Sequence, residues 1–576
     1  MKKVLSLVFI LLLTFLAQVQ IVSAQAESRT TGLVQAGEQA VFKVLSECEA
    51  LYEHKQTRKH FDELQNLRDT SRKVAQPASP TRNETPDMES KALSMLSEAI
   101  AVTSPAPSEA ARLDASIPQD RIDPAQRQVY IVGAGIGGLA AAVFAIKDGG
   151  MSGNNIHIME ELPLNGGALD GSGDPEKGYI IRGGRMMNLD TYECLWDMLK
   201  SIPSLKNPQI TVFDELVAFN KDYSTRSKSR LVDNNGQIMD FYKNGLNSED
   251  RRALIMLSIK SEKALGNKTI QDCFPPSFFK TNFWYLYSSM FSFETWHSAI
   301  EMKRYMNRFM HLCGNLNTLE GIHRSSLNQY ESFVLPIQKW LMDRGVHYTN
   351  RVRVVDVDFA PGRGEKTVER LHYIENGQQK EIVLRKGDLV IFTNRSMTDS
   401  SSIGSMSRAP ELRTTGTSFE LWKKMAAKMS GLGNPSVFAD NVQKTKWVSF
   451  TCTCKDTTFF DIEEKRSGTK VGTGGLVTLP YSGWGLSFVC ARQPHFANQP
   501  DNVKVFWGYG LFPEKLGDYV KKPMEQCSGE EILTELFSHL KLQDKMPQLI
   551  SSSINLPCMM PFITSQFMPR QISDRP

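Results

Sequence analysis

Apolar residues along this chain fall into short runs and helical stripes, and the clearest run begins at Val129. Val129-Tyr-Ile-Val132 carries no charge and reads as a buried strand. It breaks at Gly133-Ala134-Gly135-Ile136-Gly137-Gly138, and the alanine-rich stretch that follows predicts a helix to about residue 148. A second strand is expected over 156–159, closing on Glu160 and Glu161. Further on, the spacing predicts helices over 192–202 and 330–342 and strand structure over 346–357. A strand pair turned at Asn376-Gly377 and an acid-led apolar strand over 388–394, ending in Asn394, follow. Residues 205–327 are rich in helix formers and aromatics, and Ser298, Met302, Tyr305, Phe309 and Leu312 share one helical face. Before residue 128 the pattern is weaker. Val41, Val44, Leu45, Cys48 and Leu51 predict an amphipathic helix, Phe61, Leu64 and Leu67 resume it, and Pro-rich breaks mark a linker.

The order of strand, glycine turn, helix, strand and acid has a chemical reading, because each part has a task in holding a dinucleotide. Gly133 permits the tight turn, Gly135 lets backbone N–H groups approach a pyrophosphate, and Gly138 lets the helix pack on the strand. The helix N-terminus adds partial positive charge. Glu160, 22 residues beyond Gly138, can accept hydrogen bonds from ribose hydroxyls. A long insertion followed by return strands suits a two-domain flavoprotein better than a simple dehydrogenase. The expected fold is therefore α/β: a Rossmann-like FAD-binding domain with an inserted substrate domain and a helical covering region.

Composition narrows this only slightly. With 576 residues the chain has room for several domains, and a net charge of +4 gives no argument for a nucleic-acid partner. The nine cysteines are odd in number and lack metal-site spacing, so they read as mostly buried thiols without a disulfide framework or a metal centre. HExxH, GxSxG and a phosphate-loop lysine are absent from the sequence. Lys2 and Lys3, an apolar run over 4–16 and Val22-Ser23-Ala24 predict a signal peptide and export, the alternative being an uncleaved membrane anchor. The expected layout is a leader over 1–24, an extension over 25–127, FAD-binding segments over 128–204 and 328–400, a helical insertion over 205–327 and a substrate region over 401–576. Spacing alone favours Tyr305 as a core tyrosine bonded to the backbone over a catalytic acid, and His297 and His311 as structural residues over ligands.

Several motifs together resemble the oleate hydratase family, also called myosin-cross-reactive antigens. They are Gly133-Ala-Gly-Ile-Gly-Gly138, Gly166-Gly-Ala-Leu-Asp-Gly171, Arg182-Gly-Gly-Arg185, Glu193-Cys-Leu-Trp-Asp197, Trp296-His-Ser-Ala299 and Asn328-Gln-Tyr330. Ser396-Met397-Thr398, Arg492-Gln-Pro-His-Phe496, Tyr509-Gly-Leu-Phe-Pro513 and Pro557-Cys-Met-Met-Pro561 continue the likeness in order. The resemblance implies FAD binding, and addition of water to the cis double bond of a long-chain unsaturated fatty acid such as oleate. The product would be a 10-hydroxy acid, formed with no net redox change. It places Tyr305 as the proton donor, with Gln329 and His495 on the substrate. It puts Gly184, Arg185 and Asn394 with the glycine turn on the cofactor. The water-activating glutamate of many members is Met186 here, while Val489 and Ala491 stand where the family usually has a threonine and an asparagine for the carboxylate. Asn394-Arg395-Ser396 replaces the usual Asn-Gly-Ser, and family chains usually run on past residue 576. A membrane-surface contact for substrate uptake and a monomeric or homodimeric state are compatible with this. The alternative is a catalytically impaired FAD- and fatty-acid-binding protein of the same fold.

Overall fold

The chain divides into two units, Met1–Ile122 and Asp123–Pro576. The computed structural model describes residues 123, 126–361, 366–393 and 397–575, all in the second. The leader and the helices read before residue 122 lie outside the described residues, as does Asn394.

The glycine turn joins β1 (Val129–Val132) to α1 (Ile136–Lys147), which returns to β2 (Ile156–Glu160). A hairpin of β3 (Gly171–Asp174) and β4 (Gly178–Ile181) follows. The chain then enters a helical stretch: α2 (Glu193–Leu199), α3 (Val212–Asp222), α4 (Ser248–Ile259), α5 (Glu262–Leu265), α6 (Asn282–Phe291) and α7 (Ala299–Phe309). It comes back through α8 (Leu335–Met342) and β5 (His347–Asn350). Strands β6 (Val352–Phe359), β7 (Val368–Glu375) and β8 (Gln378–Val383) form an antiparallel sheet, and β9 (Leu389–Phe392) closes this part. The β7–β8 turn sits at Asn376 and Gly377, both at positive φ, as the Asn-Gly pair predicts. β5, β2, β1 and β9 pair in that order as a parallel sheet. Val129, Ile131, Ile156 and Ile158 are fully buried against Leu139, Ala142 and Val143 of α1, with Ile337 and Leu341 of α8 in the same core. The small alanines of α1 let it lie close to the sheet.

The second sheet is antiparallel, in the order β10-β15-β11-β14-β13-β12. Its strands are β10 (Ser402–Ile403), β11 (Trp447–Cys454), β12 (Val477–Thr478), β13 (Leu486–Val489), β14 (Lys504–Gly510) and β15 (Ser553–Met560). β11 is buried along its length, and its side chains alternate between two jobs. Val448, Phe450, Cys452 and Cys454 enter a core with the helix Gly529–His539. Thr451 and Thr453 face the other way, and their hydroxyls accept from Ile181 N at 3.2 Å and Tyr179 N at 2.9 Å. These bonds seat β4 on the second sheet. The segment after β4, Arg182 to Met186, is thereby delivered to the face of the second sheet that carries Trp447, Val489, Trp507 and Tyr509.

Three expectations need correction. The stripe from Ser298 to Leu312 is not one helix. Ser298 is the N-cap of α7, its ψ of 126° outside the helical range and its N–H donating to Phe567 O at 2.7 Å, and Leu312 lies in a 3-10 turn, Met310–Asn315. The first five residues expected in the helix over 330–342 form a π turn, Tyr330–Val334. The cysteines are also less uniformly buried than expected: among the described residues Cys452, Cys454, Cys527 and Cys558 are buried, Cys273 and Cys490 are partly covered, and Cys194 and Cys313 are exposed as residues, although burial still pushes the Cys313 thiol up.

Candidate active site

At the first glycine turn, Gly133 has φ +102°, open to glycine but strained for other residues. A Cβ on Gly138 would stand 2.0 Å from Gly133 O, so only glycine lets α1 start this close to β1. α1 begins without a side-chain cap and without an acid in its first turn, leaving the N–H groups of Ile136, Gly137 and Gly138 to an outside acceptor. Gly135 is open: a Cβ there would meet nothing nearer than Gly167 Cα at 4.0 Å. The second glycine loop closes beside it, with Gly166 N donating to Ala134 O at 2.9 Å. Glu160 does more than face a ligand. One carboxylate oxygen accepts from Ala134 N at 2.8 Å and the other from Leu162 N at 2.9 Å, so it also holds the turn. Glu161 accepts from the Thr417 hydroxyl at 2.7 Å, and burial pushes its carboxyl up from the ordinary value. The cradle fits the diphosphate of a dinucleotide.

A cavity of about 730 Å³ lies between the segment after β4, helices α6 and α7, and the inner face of the second sheet. This is within the size range of small-molecule sites. Met186, Gly184, Arg185 and Tyr305 all border it. The Tyr305 ring is held edge-on by Phe291, Phe293 and Phe567, with centroids 5.2, 5.3 and 5.7 Å away. The reading from spacing, a tyrosine bonded to backbone, does not hold. Among the described residues its hydroxyl has no hydrogen-bond partner, whereas Tyr287 donates to Met302 O at 3.4 Å. The aromatic ring of neighbours offers Tyr305 no acceptor. Burial, and then the charge of Glu301, push its pKa up to about 12, while Arg185 and Arg308 pull it down.

The wall is strongly cationic. Arg182, Arg185, Arg304, Arg308, Arg324 and Arg575 border the cavity, and Glu301 is the sole carboxylate among its described lining residues. That carboxylate is committed: Arg304 at 3.0 Å, Arg575 at 2.9 Å and Arg570 all converge on Glu301 Oε1. Arg182 pairs with Asp170 at 3.0 Å, and Arg185 donates to Ala168 O at 2.9 Å. Met186 also borders an adjoining apolar recess of about 30 Å³ with Met290, Met306 and Leu312.

Gln329 and His495 are adjacent to this wall rather than on it. The Asn328 backbone and side chain donate to His495 O at 2.8 and 3.1 Å, which brings the two residues' segments together. Burial and the charge of Arg324 push the His495 imidazole down to about 4, so it is neutral at pH 7. Sequence reasoning missed Arg324, Glu301, Arg570 and Arg575. Glu301 precedes Tyr305 by one helical turn and was open to notice; nothing local marks the arginines. Asp518, Glu535 and His539 bring potential metal-ligating atoms together, but Glu535 already accepts three backbone N–H groups, from Asp518, Tyr519 and Val520.

Residues 126–576 match the sequence model of the MCRA family. An oleate hydratase of Streptococcus pyogenes serotype M49 (strain NZ131) is 41% identical over 461 residues, covering 78% of either chain. A linoleate hydratase of Lactiplantibacillus plantarum is 33% identical over 491 residues, covering 78% of this chain and 86% of its own. Among solved structures, a fatty acid isomerase from P. acnes overlaps 73% of this chain and 84% of its own, at 12% identity and a TM-score of 0.38. That likeness is too weak to carry an argument.

Proposed function

Since the chain belongs to the MCRA family, we propose that it is an FAD-dependent fatty-acid hydratase acting on oleate-like acids. It adds water across the cis-9 double bond to give the 10-hydroxy acid. The observation that carries this reading is the unbonded Tyr305 hydroxyl at an aromatic-lined cavity with an excess of guanidinium groups.

The glycine turn from Gly133 to Gly138 would hold the diphosphate and Glu160 the ribose, with Gly184 and Arg185 at the cavity end. FAD, when bound, supplies an ordered flat surface beside the substrate and no net oxidation or reduction. The chemistry in hand belongs to the side chains. Tyr305 donates its proton to one alkene carbon while water adds its oxygen to the other. The proton that water sheds leaves to solvent, and Tyr305 takes one back. Arg185 and Arg308 favour the developing phenolate, which burial and Glu301 oppose. The phenol stays protonated across the working range. The alkaline limb of the pH–rate profile is therefore expected above about pH 10, and an inflection near neutrality that vanishes in Tyr305→Phe would contradict this.

Gly138→Ala tests the cofactor half. The added methyl meets Gly133 O at 2.0 Å and must push α1 off the sheet. It is expected to lower stability by about 1–3 kcal/mol and to abolish co-purifying flavin, read from absorbance and a thermal melt. Flavin retained at full occupancy would count against this cradle. The reaction itself is tested by incubating the full chain with oleate and FAD. A hydroxy acid seen by mass spectrometry supports the reading, and bound flavin with unchanged oleate rejects it. A second reading, a fatty-acid-binding protein with impaired turnover, is favoured by one observation: the cavity offers Met186 and an arginine-bound Glu301 but no free carboxylate among its described lining residues. It predicts oleate binding without product.

A further inference from the structure

Arg324 differs from the other arginines on the cavity wall. Its main chain is held firmly. Arg324 N donates to Asn220 Oδ1 at 2.9 Å, and Asn220 Nδ2 donates to Arg324 O at 2.8 Å. The preceding His323 exchanges backbone bonds with Met187 at 2.7 and 3.1 Å, which ties this strand of chain to the segment carrying Arg185 and Met186. The side chain has no such hold. Nε of Arg324 is enclosed and lacks a hydrogen-bond partner, and among the described residues the guanidinium has no ion pair. The other wall arginines meet a carboxylate, a carbonyl or, for Arg308, the Tyr192 ring at 5.5 Å.

A guanidinium cannot shed this charge. Burial lowers the Arg324 pKa to about 10, which still leaves it protonated at pH 7. A buried cation without an anion is costly, and here the protein supplies more cation instead. Arg230, fully buried behind the same wall, donates to the carbonyls of Leu476 at 2.7 Å and Leu316 at 2.7 Å, with Nη2 unpartnered. Its charge and that of Arg324 are close enough to oppose each other. His495, the neighbouring imidazole, is neutral, and Val489 on the wall has no polar side-chain atom. The missing negative charge has to arrive with a ligand.

We propose that Arg324 anchors the carboxylate of the fatty acid, receiving it as a fork against its N–H groups, with Arg230 adding attraction from behind. This rests on the fatty-ligand reading above and names the residue that orients the chain past Tyr305. Arg324 is a substrate-binding residue, not an acid or base.

The test is equilibrium binding of oleate and of oleyl alcohol to the FAD-loaded full chain, followed by tryptophan fluorescence. The unmodified protein should prefer oleate. Arg324→Gln should weaken oleate by roughly tenfold to a hundredfold, the range for hydrogen bonds to a charged group, and leave oleyl alcohol within about twofold. Arg324→Lys, which keeps the charge but not the fork, should retain part of the preference. Equal affinity of the unmodified protein for acid and alcohol overturns the proposal without any variant. So does a loss of both ligands together, or a loss of FAD from Arg324→Gln or Arg324→Lys, which would assign the cation to the cofactor. An unmodified protein that binds neither lipid overturns the hydratase reading itself.

Discussion

Tyr305→Phe is expected to lower hydration of oleate by about 10²–10⁴-fold, the usual worth of a positioned proton donor, while fold and ligand binding stay as they were. The separation of the two effects follows from the packing. The ring is held edge-on by Phe291, Phe293 and Phe567, and phenylalanine keeps those contacts. The hydroxyl has no protein hydrogen bond among the described residues, so its removal strands no buried partner. Only the transferable proton is lost. Product formation by mass spectrometry, oleate titration and a thermal melt together check this. A variant that hydrates oleate at the parental rate would remove Tyr305 from the chemistry. One that melts early would mean the hydroxyl was structural after all.

Met186→Glu should act in the opposite direction. The thioether borders the cavity beside Arg185 and Tyr305 and cannot accept a proton from water. A carboxylate there would be half-buried, which raises its pKa toward the useful range for a base, with Arg185 keeping part of it ionised. Hydration is expected to rise by about 10²–10⁴-fold. The variant's rate should fall as pH drops through the new carboxyl's pKa, because the protonated form cannot take a proton. An unchanged rate in a folded, flavin-loaded variant would show that no base was missing from this position. A fall would show that the apolar recess shared with Met290 and Met306 matters more than the carboxylate.

The two predictions draw on different kinds of information. That residues 129–160 form a strand, a glycine turn, a helix and a strand is written in near-neighbour physics. Gly133 sits at a φ that disfavours a side chain, and Gly138 has no room for a Cβ. The Asn376-Gly377 turn is legible for the same reason. Tyr305 shows where such reasoning fails. Its helical stripe was visible, but whether a tyrosine in that stripe finds a backbone acceptor depends on which rings surround it, and these come from two segments distant in sequence, one at Phe291 and Phe293 and one at Phe567. The helix limits depend on distant segments likewise, since Ser298 caps α7 with a non-helical ψ and gives its N–H to a carbonyl at Phe567.

The chain alone thus determined the strand, glycine turn and helix at 129–147, the α/β class and the residue types available for acid chemistry. Each of these is set within one turn, one strand or one helical period. Only the tertiary structure decided the electrostatics of the cavity. It brought Glu301 against Arg570 across 269 positions, seated β4 on β11 across 274, and left Arg324 without an anion. Charges interact through space rather than along the sequence, and in a site shielded from water their balance follows from every segment that folds against it.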